Sequence, residues 1–172
     1  MDIKSLYIDE LVEEMKKLNQ PAFRAKQIYE WMHKKLSSSY DEMTNIPINL
    51  RALLNEKYPL TVLKQVESLI SKKDGTIKYL FRLNDDRVIE SVLMKYHHGN
   101  SVCISSQVGC RMGCTFCAST IGGKERDLSA SEMLDQIYRI QTLSGERVSN
   151  VVVMGTGEPL DNYDNLVRFI RI

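Results

Sequence analysis

The sequence predicts an α/β protein: an N-terminal helical module, a small antiparallel strand extension, and then the start of a parallel βα repeat. Three observations predict it. Apolar residues recur at helical spacing as far as Pro59, and from there to Tyr96 they fall in short strand-like runs. Beyond Gly99 the order strand, loop, helix occurs twice. The expected divisions are 1–60, 61–99 and 100–172.

In YIDELVEEMKKL the apolar positions Ile8, Leu11, Val12, Met15 and Leu18 keep helical spacing, with acids early and lysines late as the helix dipole favours. A second helix opens at Pro21, a good first-turn residue, with Phe23, Ile28, Trp31, Met32 and Leu36 as its expected buried stripe. A shorter one carries Leu50, Leu53, Leu54 and Tyr58 and stops before Pro59. VLKQVESLIS, TIKYLFRL and RVIESVLMKY are strand-like and separated by the turn signals KKDG and NDD, which predicts a meander.

Gly99-Asn100 turns the chain into a further strand, SVCISS, that leads straight into a cysteine loop. Ser129-x-x-Glu132 is a capping-box pattern ahead of a helix with Met133, Ile137, Ile140 and Leu143 on one side and Gly145 as C-terminal cap. NVVVMG is a continuous apolar run of the type found in buried parallel strands, followed by the loop GTGEP and the helix start DNYDNLVRFIRI. The cysteine loop and GTGEP thus fall at the C-terminal ends of two strands, where such sheets place their active sites.

One and a half βα units cannot close a barrel or cover a parallel sheet, so the expectation is a truncated protein with an apolar edge at NVVVMG. About four more units of roughly 30 to 40 residues would add of order 150 residues.

The chain has 172 residues, 43% of them hydrophobic and 26% charged, which is ordinary globular material. No apolar run approaches the roughly 20 residues of a membrane span, and MDIKSLYIDE has neither the basic nor the apolar segment of a secretion signal. A cytoplasmic protein is expected. The net charge of +1 does not by itself announce nucleic acid.

All 4 cysteines lie in VCISSQVGCRMGCTFCAST. Cys110, Cys114 and Cys117 form C-x3-C-x2-C, and Cys103 stands seven residues upstream. A disulfide framework does not suit a reducing compartment. A closed zinc site needs a fourth ligand, for which Cys103, His97 or His98 are candidates, but the paired C-x2-C spacing is absent. Ferredoxin clusters need four cysteines in other spacings. Three thiolates on one compact loop suit a [4Fe–4S] cluster held at three irons, with the fourth iron open to a ligand.

C-x3-C-x2-C with Phe116 before the last cysteine resembles the signature of the radical S-adenosylmethionine enzymes. More closely, CISSQVGC, GCTFCAS and MGTGEPLDN, together with the upstream helical module, resemble the RlmN family of ribosomal RNA adenosine-C2 methyltransferases. The likeness covers essentially the whole chain. That family is longer and ends in a second essential cysteine that this sequence lacks.

The resemblance implies a partial (βα)6 barrel begun here. It implies Cys110, Cys114 and Cys117 as cluster ligands, with Gly157 and Glu158 contacting S-adenosylmethionine. Glu90, thirteen residues before Cys103, would take the proton from C2, and Cys103 would be the resolving thiol. In that family a methylated cysteine carries the carbon to the electron-poor C2, and a transient disulfide then releases the base. The implied partners are 23S rRNA, with tRNA as a further candidate substrate, and an electron donor such as flavodoxin or ferredoxin, the enzyme acting as a monomer. Arg24, Lys26, Lys34 and Lys35, near Phe23 and Trp31, are candidate RNA contacts. Two alternatives stay open: the sister type that methylates adenosine at C8, from which Gly-Glu-Pro-Leu at 157–160 leans away, and a non-enzymatic module that binds zinc and RNA.

Overall fold

The structure is a computed structural model that describes residues 2–172, and it divides into two compact units. One ends at Thr61 and includes Arg171–Ile172; the other runs Val62–Ile170.

The first unit is built on α1 (Ile8–Lys17), α2 (Phe23–His33) and α3 (Ile48–Lys57). Leu11 and Met15 of α1, Ala25, Ile28 and Met32 of α2, and Leu50 and Leu54 of α3 bury completely or nearly so in one core. The expected stripes are corrected at their edges. Phe23, the first residue of α2, is 55% exposed, and Ile8, the first of α1, is exposed as well. Ala25 takes the buried place on α2, while Trp31 packs only partly and donates its indole N–H to Asn45 Oδ1 at 2.6 Å. Pro21 lies two residues ahead of α2, and Leu36 lies beyond it with a φ of 57°.

Lys4 is fully buried and donates through Nζ to the Thr61 carbonyl at 2.5 Å, which satisfies a charge that burial would otherwise penalise. Burial pushes His33 down to about 4, with the Lys4 charge adding to the effect.

The second unit contains β1 (Lys64–Ile70), β2 (Ile77–Arg82), β3 (Val88–Tyr96), β4 (Gly99–Cys103), β5 (Gln107–Gly109), β6 (Lys124–Asp127), α4 (Ala130–Ser144), β7 (Val148–Val152) and α5 (Tyr163–Arg171). The main sheet has the order β1-β2-β3-β4-β7. Its first three pairings are antiparallel, as the meander predicts, and β4 with β7 is parallel. The meander and the start of the parallel repeat therefore share one sheet. Burial alternates along β2 and β3, where Tyr79, Phe81, Ile89 and Leu93 face the core.

α4 has the predicted capping box: Ser129 N donates to Glu132 Oε2 at 2.9 Å, Glu132 N donates back to Ser129 Oγ at 3.3 Å, and Gly145 closes the helix with a φ of 69°. Its buried face is Ala130, Met133, Leu134, Tyr138 and Ile140, whereas Leu143 is 47% exposed. The buried Gln136 on this face accepts from Ser91 Oγ at 2.7 Å and exchanges bonds with the backbone of Ser105, fastening α4 to the sheet.

β7 is parallel as expected but not buried, with Val151 and Val152 at 41% and 38% exposure; it is the open apolar edge. The β5–β6 hairpin, a separate two-stranded sheet, is not foreseen by the sequence. Among the described residues no helix is long and apolar enough to cross a membrane.

Candidate cluster and cofactor site

After Cys103 the chain leaves β4 through Ile104, Ser105, Ser106 and Gln107, all buried. This segment is where the two loops meet. Gly155 N donates to Ile104 O at 3.0 Å, Thr156 N donates to Ser105 Oγ at 3.1 Å, and Ser106 N and Gln107 N both donate to Thr156 O. A Cβ on Gly155 would stand 2.8 Å from Ile104 O, and one on Gly157 would stand 2.5 Å from Gln107 Cβ. Gly157 also has a φ of 103°, so side chains are excluded there by both space and backbone.

This close approach creates a cavity of about 320 Å³ whose wall holds Cys110, Cys114 and Cys117 on one side and Gly155, Gly157 and Glu158 on the other. Cys110 is buried and donates its N–H to Gly123 O, Cys114 is exposed, and Cys117 lies between, its N–H closing a turn onto Cys114 O. Met154 and Phe116 also line the space, and Phe116 is 91% exposed. Among the described residues no three His, Cys, Asp or Glu side chains converge closely enough to hold a bare metal ion. Three soft thiols lining one cavity beside a glycine cradle, with Glu158 the carboxylate in the wall, nonetheless suit by their donor chemistry an iron–sulfur cluster and a small polar cofactor better than a hard cation. Glu158 Oε1 accepts from Leu160 N at 3.1 Å, which caps the short turn Pro159–Asn162.

Glu90 and Cys103 are not in that wall. Lys78, Val92, Cys103 and Val152 are matched in register across β2, β3, β4 and β7, so they share one sheet face, opposite the buried Ile89, Leu93 and Val102. Glu90, two residues before Val92, is on the same face. It pairs with Lys78 at 2.7 Å, both side chains being about half exposed, a geometry worth little stability. Half-burial pushes the Cys103 thiol up from its ordinary value, while a backbone hydrogen bond from Met154 pulls the other way.

The polar clamp under the cavity is missed by sequence reasoning. Gln107 accepts from Glu158 N at 2.9 Å and donates to Asp127 at 2.8 Å and Asp161 at 3.0 Å. Asp161 also takes Lys124 at 2.9 Å and the guanidinium of Arg111; these donors, Arg111 foremost, hold its carboxyl far below the usual carboxylate range. Asn162 donates to the carbonyls of Ser106 and Leu128 at 2.8 and 2.7 Å. The signal available was a set of uncharged and acidic side chains beside the two motif loops, but their partners are 20 to 56 residues away.

Residues 1–59 match the family model for the ribosomal RNA large subunit methyltransferase N-terminal domain, and residues 104–172 match the radical SAM superfamily. A protein of Lachnoclostridium phytofermentans named "Probable dual-specificity RNA methyltransferase RlmN" is 63% identical over 172 residues, all of this chain and 48% of that protein. Over its whole length this chain is similar to members of the RlmN family. The RlmN protein of Lachnospira eligens is 66% identical over 99% of this chain and 49% of its own length. The crystal structure of a radical SAM methyltransferase from Sphaerobacter thermophilus superposes with a TM-score of 0.92 at 41% identity, covering 100% of this chain and 51% of that one. The chain thus spans about half the length of the RlmN relatives it matches.

Proposed function

We propose that this chain is part of a radical S-adenosylmethionine RNA methyltransferase acting at C2 of an adenosine in 23S rRNA, with tRNA as a second substrate, in the cytoplasm. The observation that carries the reading is the shared cavity: three thiols on the β5–β6 connection, in the segment between β4 and α4, line it together with the glycine loop after β7, the parallel partner of β4. Relatives over the whole chain bear the name RNA methyltransferase, which supports it.

Cys110, Cys114 and Cys117 would hold a [4Fe–4S] cluster, and Gly157 and Glu158 would receive S-adenosylmethionine. When bound and reduced, that pair supplies the radical chemistry that an electron-poor carbon requires. Flavodoxin or ferredoxin would deliver the electron. The chain's own contribution is to place the three thiols, to present backbone at Gly155 and Gly157, and to keep apolar walls at Met154 and Phe116.

On the neighbouring face Glu90 would remove the proton from C2. Cys103 would then attack the sulfur of the thioether that joins a second cysteine to the base, so that an S–S bond forms as the S–C bond breaks and the carbon leaves with the electron pair, takes up a proton and becomes the product's methyl group, as the family resemblance implies. The thiol rests protonated at neutral pH, since burial disfavours its anion, so it must lose its proton as it attacks. The partner cysteine of that disulfide is not among the 4 cysteines assigned here. Exposed Phe23, with Arg24 at 4.8 Å from its ring centroid, and Lys35 at 3.6 Å from that of Trp31, would supply stacking and phosphate contacts to RNA, with Lys26 and Lys34 nearby.

Two measurements test the reading. Anaerobic reconstitution should give a broad iron–sulfur absorption that bleaches on reduction; stoichiometric zinc uptake with no such absorption would remove the cluster. Digestion of rRNA modified by a full-length relative carrying these residues should yield 2-methyladenosine, and a methyl group at C8 would overturn the C2 assignment.

A further inference from the structure

Residues 111–116, between the first and last thiol of the triplet, are all exposed; the segment carries Cys114 and links Cys110 to Cys117. Among the described residues, the side-chain bond from this segment to the rest of the chain is Arg111 to Asp161. Arg111 is 65% exposed at its side chain, whereas Asp161 is 8% exposed. Asp161 sits on the turn directly after the glycine loop. It also receives Lys124 from β6 at 2.9 Å and Gln107 from β5 at 3.0 Å, and the amide oxygen of Gln107 receives Glu158 N at 2.9 Å. One carboxylate therefore meets the cysteine loop, the β5–β6 hairpin and, through Gln107, the backbone of the glycine loop.

We infer that Asp161 is a positioning residue that clasps the cysteine loop to the glycine loop, setting how the two cofactors meet. This rests on the cofactor reading above. The physics favours an ionic clasp over a neutral one. Two cations converge on one carboxylate, so its loss leaves Arg111 and Lys124 without a shared counter-charge; among the described residues only Lys124 has a second ion pair, with Asp127 at 2.8 Å, while Asp127 reaches Arg111 as a longer-range charge without a hydrogen bond. Gln107 would keep its bond to Asp127 and to Glu158 N, so the glycine loop stays attached while the cysteine loop is released. The expected defect is thus in relative placement of the loops and not in the folding of either unit.

The test uses the full chain, wild type, Asp161→Asn, Asp161→Glu and Arg111→Gln, each reconstituted anaerobically. Three properties are compared: iron content, S-adenosylmethionine affinity read from its perturbation of the reduced cluster's electron paramagnetic resonance signal, and amide hydrogen exchange of residues 111–123. Asp161→Asn and Arg111→Gln should retain iron, weaken S-adenosylmethionine binding by about tenfold, the scale of one charge-assisted hydrogen bond, and speed exchange in the loop. Asp161→Glu should recover part of the affinity, and combining Asp161→Asn with Arg111→Gln should be no worse than Asp161→Asn alone.

Unchanged affinity, signal and exchange in Arg111→Gln would overturn the clasp; that exposed side chain can be removed without endangering the fold. Hydrogen exchange on the unreconstituted chain separates this from failure of the cofactor reading. A wild-type chain that takes up no iron would sink that reading, while faster exchange in Arg111→Gln would still support the clasp and unchanged exchange would still overturn it.

Discussion

The two units dispose of their apolar residues in opposite ways. In the helical unit the long apolar side chains turn inward onto a single core, and among the described residues Ile8, Phe23 and Ile48 are the large ones left in solvent. In the sheet unit the core beneath α4 is equally tight, yet Met112, Phe116, Ile121, Met154 and Leu160 are exposed near the cavity, and Val151 and Val152 along β7. A surface of that kind is held for something else to cover. The contrast teaches that the first unit is closed by its own sequence, whereas the second is arranged around groups that are not its own side chains.

The strongest way to break the contrast is to remove what the second unit is arranged around. Cys117→Ala should reduce iron after anaerobic reconstitution from about four per chain to near zero. The same variant should leave the melting of the helical unit unchanged, measured by far-ultraviolet circular dichroism. Conversely, Leu54→Ala, in a fully buried position of α3, should cost about 2–5 kcal/mol in denaturant unfolding of the helical unit and leave iron uptake intact.

A pH titration sharpens the comparison further. The folded His33 is pushed down to about 4 from an ordinary 6.5, so protons bind preferentially to the unfolded chain. The stabilising effect of keeping His33 neutral is complete above pH 6.5 and is lost as the pH falls from 6.5 toward about 4, at no more than about 1.4 kcal/mol per pH unit. Urea midpoints of His33→Gln should be flatter across that window than those of the native sequence. The smallest effect is local: Ser129→Ala removes the acceptor for Glu132 N and should cost about 1 kcal/mol, read as a lower melting temperature of the sheet unit.

Features decided within a few residues were legible in the sequence. The α4 cap needs only Ser129, Glu132 and Gly145, and the meander needs only alternation in IKYLFR and VIESVL with turn residues between. The cavity's thiols and glycines were legible for the same reason, since each set lies in one loop. What was not legible depends on distant partners. Helical spacing marks Phe23 and Leu143 as candidates for burial but cannot say that both sit beyond the reach of their cores. Lys4 reads as a surface lysine until Thr61 is found above it, and Gln107, Asp161 and Asn162 acquire meaning only when β5, β6 and the glycine loop are folded together. The β5–β6 hairpin escaped because QVG and KERD are too short and polar to carry a strand pattern.

One strand serves both halves of the sheet. β4 pairs antiparallel with β3 on one side and parallel with β7 on the other, so it is the line along which an antiparallel ribbon is joined to a crossover repeat. A slip of one residue along it would turn Cys103 inward and Val102 outward and would drag the thiol loop with it. The turn at 71–76, by contrast, is a largely exposed connection between β1 and β2, at the sheet edge away from β7 and hydrogen-bonded among its own residues, where extra residues would leave β4 untouched. A fluorescent or affinity tag placed there would ride on the protein as passive cargo, giving a handle on the molecule that the chemistry does not feel.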